Sequence, residues 1–190
     1  MIEILKEGRL LVAAPELMDP NFFQTVVLIC HHSERDGTIG LVLNRCTEMS
    51  IGKALGDLPA AADRTEPMWL GGPVDTRNVW ILHRRQDLIS PGHEVQEGVF
   101  FTADAGVVKK ILRTNGPDPD GSIFRLFVGY AGWSSGQVER EMEEGAWDVI
   151  SAGPECLFSN APDRLWREMS VRVLLPQPLD ARRIRDAWMN

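Results

Sequence analysis

The 190-residue chain reads as an α+β protein built on a mixed sheet, and three observations predict that class. Apolar, β-branched runs come in pairs joined by tight turns, as in residues 25–31 and 38–44 across Asp36-Gly37. The helical stretches between such runs are unequal in length, which argues against a regular βαβ alternation. Hydrophobic residues make up 44% and charged residues 25% of the chain, the balance of a protein with a packed core and not of a disordered or fibrous one.

Taken in order, Leu10-Leu11-Val12 opens the first strand, which stops at Pro15, and Asp19-Pro20-Asn21-Phe22 reads as a turn, because proline sets φ and Asp and Asn bond locally to the backbone. The runs 25–31 and 38–44 then form a hairpin deep in the sheet. Ser50 caps a short helix through Leu55, ended by Gly56. The stretch Pro59 to Pro67 is a surface loop, and it is the place where two lobes would meet within a single domain spanning residues 1–190. Strands follow at Met68 to Leu70, Asn78 to His83 and Val99 to Thr102, separated by Gly71-Gly72-Pro73 and by the loop Ser90-Pro91-Gly92-His93. A helix over Asp104 to Arg113, a loop over 115–121 and a strand over Ile123 to Tyr130 come next. Gln137 to Glu144 is helical with Gly145 as its stop, and Ala146 to Ser151 is a strand. Two short helices near Pro154 to Phe158 and Pro162 to Met169 lead to a strand over Val171 to Leu175. A last amphipathic helix begins at Asp180, with Ile184, Ala187 and Trp188 on one face.

Charge and length remove several functions. Twenty Lys and Arg stand against 27 Asp and Glu, a formal net charge of −7, so the averaged field repels phosphate backbones and anionic lipid. Apolar runs stop far short of the roughly 20 residues a membrane-spanning helix needs. Met1 to Gly8 carries acids where a signal peptide has basic residues, so the chain is expected in the cytoplasm. Cys30, Cys46 and Cys156 are odd in number and far apart, which points to reduced thiols.

Gly132-Trp133-Ser134-Ser135-Gly136 fits the G-x-S-x-G nucleophile elbow. That motif needs a histidine later in the chain, whereas His31, His32, His83 and His93 all precede Ser134. The same residues read more simply as a capping box, Ser134 as N-cap with Gln137 three positions on. Cys30-His31-His32 offers zinc-type ligands, but strand alternation puts Cys30 and His32 on one side and His31 on the other, and two ligands are too few. Glu139 and Glu143 share a helix face, Glu141 lies elsewhere, and Arg140 is placed to pair with Glu144. There is no phosphate loop, dinucleotide fingerprint or helix-turn-helix pattern. No cofactor, metal or nucleic acid is therefore expected. A small hydrolase or a metal-dependent enzyme using Ser134 or His32 stands as the alternative to a binding module.

Several blocks together carry a family resemblance: Gly8 to Pro15, Asp19-Pro20-Asn21-Phe22, Thr25 to Leu28, Gly40 to Arg45, Gly71-Gly72-Pro73-Val74, Leu82-His83, Gly129 to Trp133, Gly136-Gln137 with Glu139, and Gly145-Ala146-Trp147. Collinear from Gly8 to Trp166, they resemble the AlgH/YqgE family of bacterial proteins, with Cys46 standing where that family usually has proline. The resemblance implies a mixed, split sheet curled into a partial barrel with flanking helices. It also implies a cytosolic protein tied to transcriptional regulation, since the family's name comes from a protein linked to alginate gene expression. The acidic balance makes that tie indirect, through a protein or small-molecule partner. The candidate binding residues are Asn21, Phe22, Asn44, Arg45, Gly71, Gly72, Tyr130, Trp133, Gln137 and Glu139. Their segments carry the resemblance and lie at strand ends or turns. Five acids between Glu139 and Asp148, against Arg140 alone, mark that helix for a basic protein partner.

Overall fold

The computed structural model of the chain describes residues 5–88, 93–114 and 116–175. Its strands are β1 (Leu10–Ala13), β2 (Val26–Ser33), β3 (Gly37–Val42), β4 (Cys46–Ser50), β5 (Pro67–Leu70), β6 (Val74–His83), β7 (His93–Gln96), β8 (Val99–Thr102), β9 (Phe124–Trp133) and β10 (Trp147–Ile150). Its helices are α1 (Ile51–Ala54), α2 (Ala105–Thr114), α3 (Gln137–Glu143), α4 (Pro154–Leu157) and α5 (Pro162–Leu174), with a 3-10 turn at Gln86–Leu88. The strands run in the order β10-β1-β2-β3-β9-β6-β8-β7, each antiparallel to its neighbour, while β5 lies parallel to β9 and antiparallel to β4. The sheet is mixed and α+β, as expected.

β9 explains why the sheet is split. Along one edge it pairs with β6 from Phe124 to Tyr130. Along the other, β5 holds Phe127 and Val128, and β3 takes over at Ala131 to Trp133. The chain leaving β5 must therefore cross β9 to reach β6, and Gly71-Gly72-Pro73 makes that crossing over Gly129 and Tyr130. A Cβ on Gly72 would overlap the Tyr130 carbonyl carbon, and one on Gly129 would overlap the Gly72 carbonyl oxygen. Only glycine lets two backbones approach this closely.

The sheet curls without closing. β7 returns against β1 and β2 by side chains instead of a ladder: His93 Nε2 donates to the Cys30 carbonyl at 2.6 Å, and Gln96 Nε2 donates to the carbonyls of Gly8 and Ala152. Three apolar clusters fill the two faces. Leu10, Leu28, Leu41, Trp69, Phe101 and Phe127 meet Leu157, Phe158, Leu165 and Met169 of the α4–α5 region. Val107, Val108, Ile111 and Leu112, one face of α2, meet Ile81, Phe124 and Leu126. Leu11, Val27, Ile29 and Val42 meet Trp133, Val138 and Trp147.

Local signals act as expected at several points. Ser50 Oγ accepts from Lys53 N–H at 3.2 Å and Gly145 ends α3 with φ 79°, while Asp104, expected as the first residue of its helix, instead precedes α2 and accepts from Val107 N–H at 2.9 Å. Around the Pro59–Pro67 loop, successive turns bury Ala61 against the α2 cluster.

Other expectations are corrected. Val171 to Leu175 is not a strand. α5 runs through Leu174, because the spacing Leu165, Met169, Val173 keeps one face on the core and Trp166 Nε1 donates to the Ala13 carbonyl at 2.8 Å, so packing overrides the β preference of the valines. His93 opens β7 and does not end a loop; residues 89–92 and the helix expected from Asp180 lie outside the described residues. β4 was not foreseen, being mostly polar and exposed. A bulge at Cys30 reverses the expected parity of the next residues. Ile29 pairs with Gly40 and His31 with Ile39, so His31, and not His32, shares the face of Cys30.

Candidate functional site

The loop that joins β1 to β2 crosses the end of β9 and α3, and its conformation is over-determined. Asp19 accepts backbone N–H groups from Asn21 at its side chain and from Phe22 and Phe23 at its carbonyl. Asn44 grips the far end, accepting from Val26 N–H at 3.0 Å and donating to the Gln24 carbonyl at 2.9 Å. Arg45 Nη2 donates to the Phe23 carbonyl at 2.7 Å, and its own carbonyl accepts from Leu70 N–H. Gln24 is held at φ 51°, a left-handed conformation that non-glycine residues seldom adopt.

Under the loop, Phe22 stacks on Trp133 with centroids 5.7 Å apart and meets the edge of Trp147 at 5.5 Å. Glu141 ties the aromatic rings to α3. Its Oε2 accepts from Trp133 Nε1 at 2.9 Å and Trp147 Nε1 at 2.8 Å, and its Oε1 accepts from Gln137 Nε2 at 2.8 Å. With Phe22 turned inward, Met18 and Phe23 point out and are 76% and 38% exposed. Glu16, Asp19, Glu143 and Glu144 are exposed on the same loop and helix.

The ten predicted residues divide. Phe22, Trp133 and Gln137 meet in the aromatic cluster, and Asn21, Asn44 and Arg45 belong to the loop and its clamp. Glu139 lies apart, its Oε1 3.7 Å from His32 Nε2, and His32 Nδ1 bonds Thr38 Oγ1 at 2.9 Å. Gly71 and Gly72 make the strand crossing. Tyr130 lies on the other face of β9 from Trp133, against Trp80 at 5.4 Å. Glu141, Trp147, Met18 and Phe23 were not foreseen. Glu141 could have been, since it follows Gln137 by four residues and shares its helix face.

The enzyme-like motifs are occupied otherwise. Ser134 is not the N-cap: Gly136 is, with φ 69°, and Gln137 Oε1 accepts from both the N–H and the Oγ of Ser134, so half of the expected capping box forms. Arg140 turns back to the Gly136 carbonyl instead of to Glu144. None of the four imidazoles hydrogen-bonds Ser134; their partners are Glu7, Thr38, the Arg85 N–H and the Cys30 carbonyl. Among the described residues no three His, Cys, Asp or Glu side chains are placed to hold one metal ion, and no helix is long and apolar enough to cross a membrane.

Comparison with known proteins places this architecture. The AlgH-like family, DUF179, matches residues 10–175. The chain belongs to that family. A UPF0301 protein of Chlorobaculum tepidum is 41% identical over 170 residues, covering 90% of this chain and 87% of that one. The solution structure of the AlgH protein from Pseudomonas aeruginosa, a UPF0301 protein, superposes with a TM-score of 0.72 at 28% identity, over 92% of this chain and 95% of that one. Protein DIP2367 from Corynebacterium diphtheriae shares the fold, with a TM-score of 0.72 at 23% identity over 94% and 91% of the two chains. The partial barrel of this AlgH-like chain is thus the family's architecture.

Proposed function

We propose that this AlgH-like chain is a non-enzymatic binding module of the cytoplasm, and that its working face is the loop of residues 18–25 with α3 beside it. One observation carries the reading: exposed apolar side chains, Met18 and Phe23, stand on a backbone fixed by Asn44 and Arg45, with the strained Gln24 directly after Phe23. Strain kept at an exposed, well-held loop is characteristic of a surface used for recognition. The rim of Glu16, Asp19, Glu143 and Glu144 selects a protein segment that carries apolar and basic side chains together. The net charge of −7 works against DNA at the same face, so a link to transcription runs through that protein partner.

The test immobilises the wild-type chain and a Met18→Ser/Phe23→Ser double variant and compares what each retains from lysate of the source cells. A shared partner is expected on the wild type, at least tenfold reduced on the variant and weakened by salt. Equal retention by both chains, or salt-sensitive retention of duplex DNA by the wild type, refutes the proposal.

A further inference from the structure

The acidic, apolar face formed by the 18–25 loop and α3 has a counterpart in the chain's own sequence. The family match ends at Leu175, and residues 176–190 follow it. Arg182, Arg183 and Arg185 cluster there, set against Asp180 and Asp186. Ile184 and Trp188 stand four apart, on one face of the amphipathic helix that the sequence predicts from Asp180. This stretch therefore joins basic and apolar side chains, the combination that Glu16, Asp19, Glu143 and Glu144 around the exposed Met18 and Phe23 select.

The fold puts the face within reach of that stretch. Trp166 of α5 donates to the Ala13 carbonyl at 2.8 Å and packs on the cluster that holds Leu17 and Phe22, so α5 passes the root of the β1–β2 loop. From Trp166 the helix runs on to Leu174, about 12 Å along its axis. Leu175 leaves it extended, with φ −83° and ψ 141°, the conformation favoured before the proline at 176. Between Leu175 and Ile184 the chain spans up to about 30 Å when extended, more than twice the return along α5 to Trp166. A tethered segment meets such a face at an effective concentration on the order of mM, so weak contacts suffice to cover it. Resting on the reading of this loop and α3 as the working face, we propose that residues 176–190 fold back and cover it in cis. The arginines lie against its carboxylates, and Ile184 and Trp188 against Met18 and Phe23. A protein partner must then displace the chain's own segment, which sets a threshold for binding.

A nitroxide attached to Asn190→Cys, in the full chain with the exposed Cys46→Ser, reads the contact by NMR. The amide resonances of Met18, Phe23, Gln24, Glu143 and Glu144 are expected to lose most of their intensity, while those of α2 keep theirs. Adding Arg182→Glu/Arg183→Glu/Arg185→Glu should restore the signals. The same arginine variant without the nitroxide should raise partner retention about fivefold by freeing the covered face. Unbroadened loop signals overturn the proposal, as does broadening that survives the arginine variant. So does broadening of an isotope-labelled chain without a nitroxide by an unlabelled chain that carries one, which would place the contact between two copies. Failure of the working face is read separately: equal retention by the wild type and Met18→Ser/Phe23→Ser refutes that reading whether or not the resonances broaden. A partner lost in that double variant but held equally by the wild type and the arginine variant leaves the face standing and overturns its cover.

Discussion

The β1–β2 loop and the β5–β6 crossing both hold backbone in unusual conformations, but they use them differently. At the crossing, Gly71, Gly72 and Gly129 are buried and carry no side chain, and the close approach serves only to pass one strand over another. In the loop, the positive φ falls on Gln24, an exposed residue with a side chain, next to Phe23. The comparison separates strain that builds the fold from strain that builds a surface. Substitutions at the crossing should remove stability, and substitutions on the exposed side of the loop should leave it unchanged.

The largest effect is expected at the crossing. Gly72→Ala forces a Cβ into the Tyr130 backbone, which flexible side chains cannot relieve, and urea unfolding should show a loss of about 4 kcal/mol or more. A loss below about 1 kcal/mol would mean that the strands do not cross as described.

Next in size is a pH effect on the buried framework. Burial pushes the His83 imidazole down to about 4, helped by nearby Arg85, and its ring stacks on Phe100 at 5.6 Å. The unfolded chain takes up this proton near pH 6.5 and the folded chain does not. Stability from this residue is therefore complete above about pH 6.5 and is lost as pH falls toward 4, by up to about 3 kcal/mol. Unfolding midpoints measured across that window should show the slope in the wild type and lose it in His83→Phe.

Glu141 joins the two regimes, because it is structural itself but holds Trp133 and Trp147 under the loop. Glu141→Ala leaves two indole N–H groups without their partner, and a loss of about 2–3 kcal/mol with altered near-UV dichroism is expected. Asn44→Ala removes the clamp on Gln24 and Val26 at a cost of about 1–2 kcal/mol. Hydrogen exchange at Val26 should accelerate while the α2 amides stay protected.

Most of this division lies beyond local sequence signals, and particular residues show why. The hairpin turn at Asp36-Gly37, the Ser50 cap and the Gly145 stop are local, so they are legible. The crossing is not, since it depends on β5 and β6 choosing opposite edges of a strand more than 40 residues away. The separation of Tyr130 from Trp133 was legible in hindsight: an odd spacing in a strand sends two side chains to opposite faces. The exposure of Phe23 was not, because Phe22 and Phe23 are alike in sequence and only the aromatic floor of Trp133 and Trp147 decides which ring turns in.

Phe23→Ser, with stability and partner retention measured on the same preparation, tests the distinction most directly. The expected result is an unfolding free energy within about 0.5 kcal/mol of wild type together with at least a tenfold loss of retention. An unchanged partner, or a loss of retention matched by a stability loss above about 1 kcal/mol, would contradict the assignment of this loop as a presented surface.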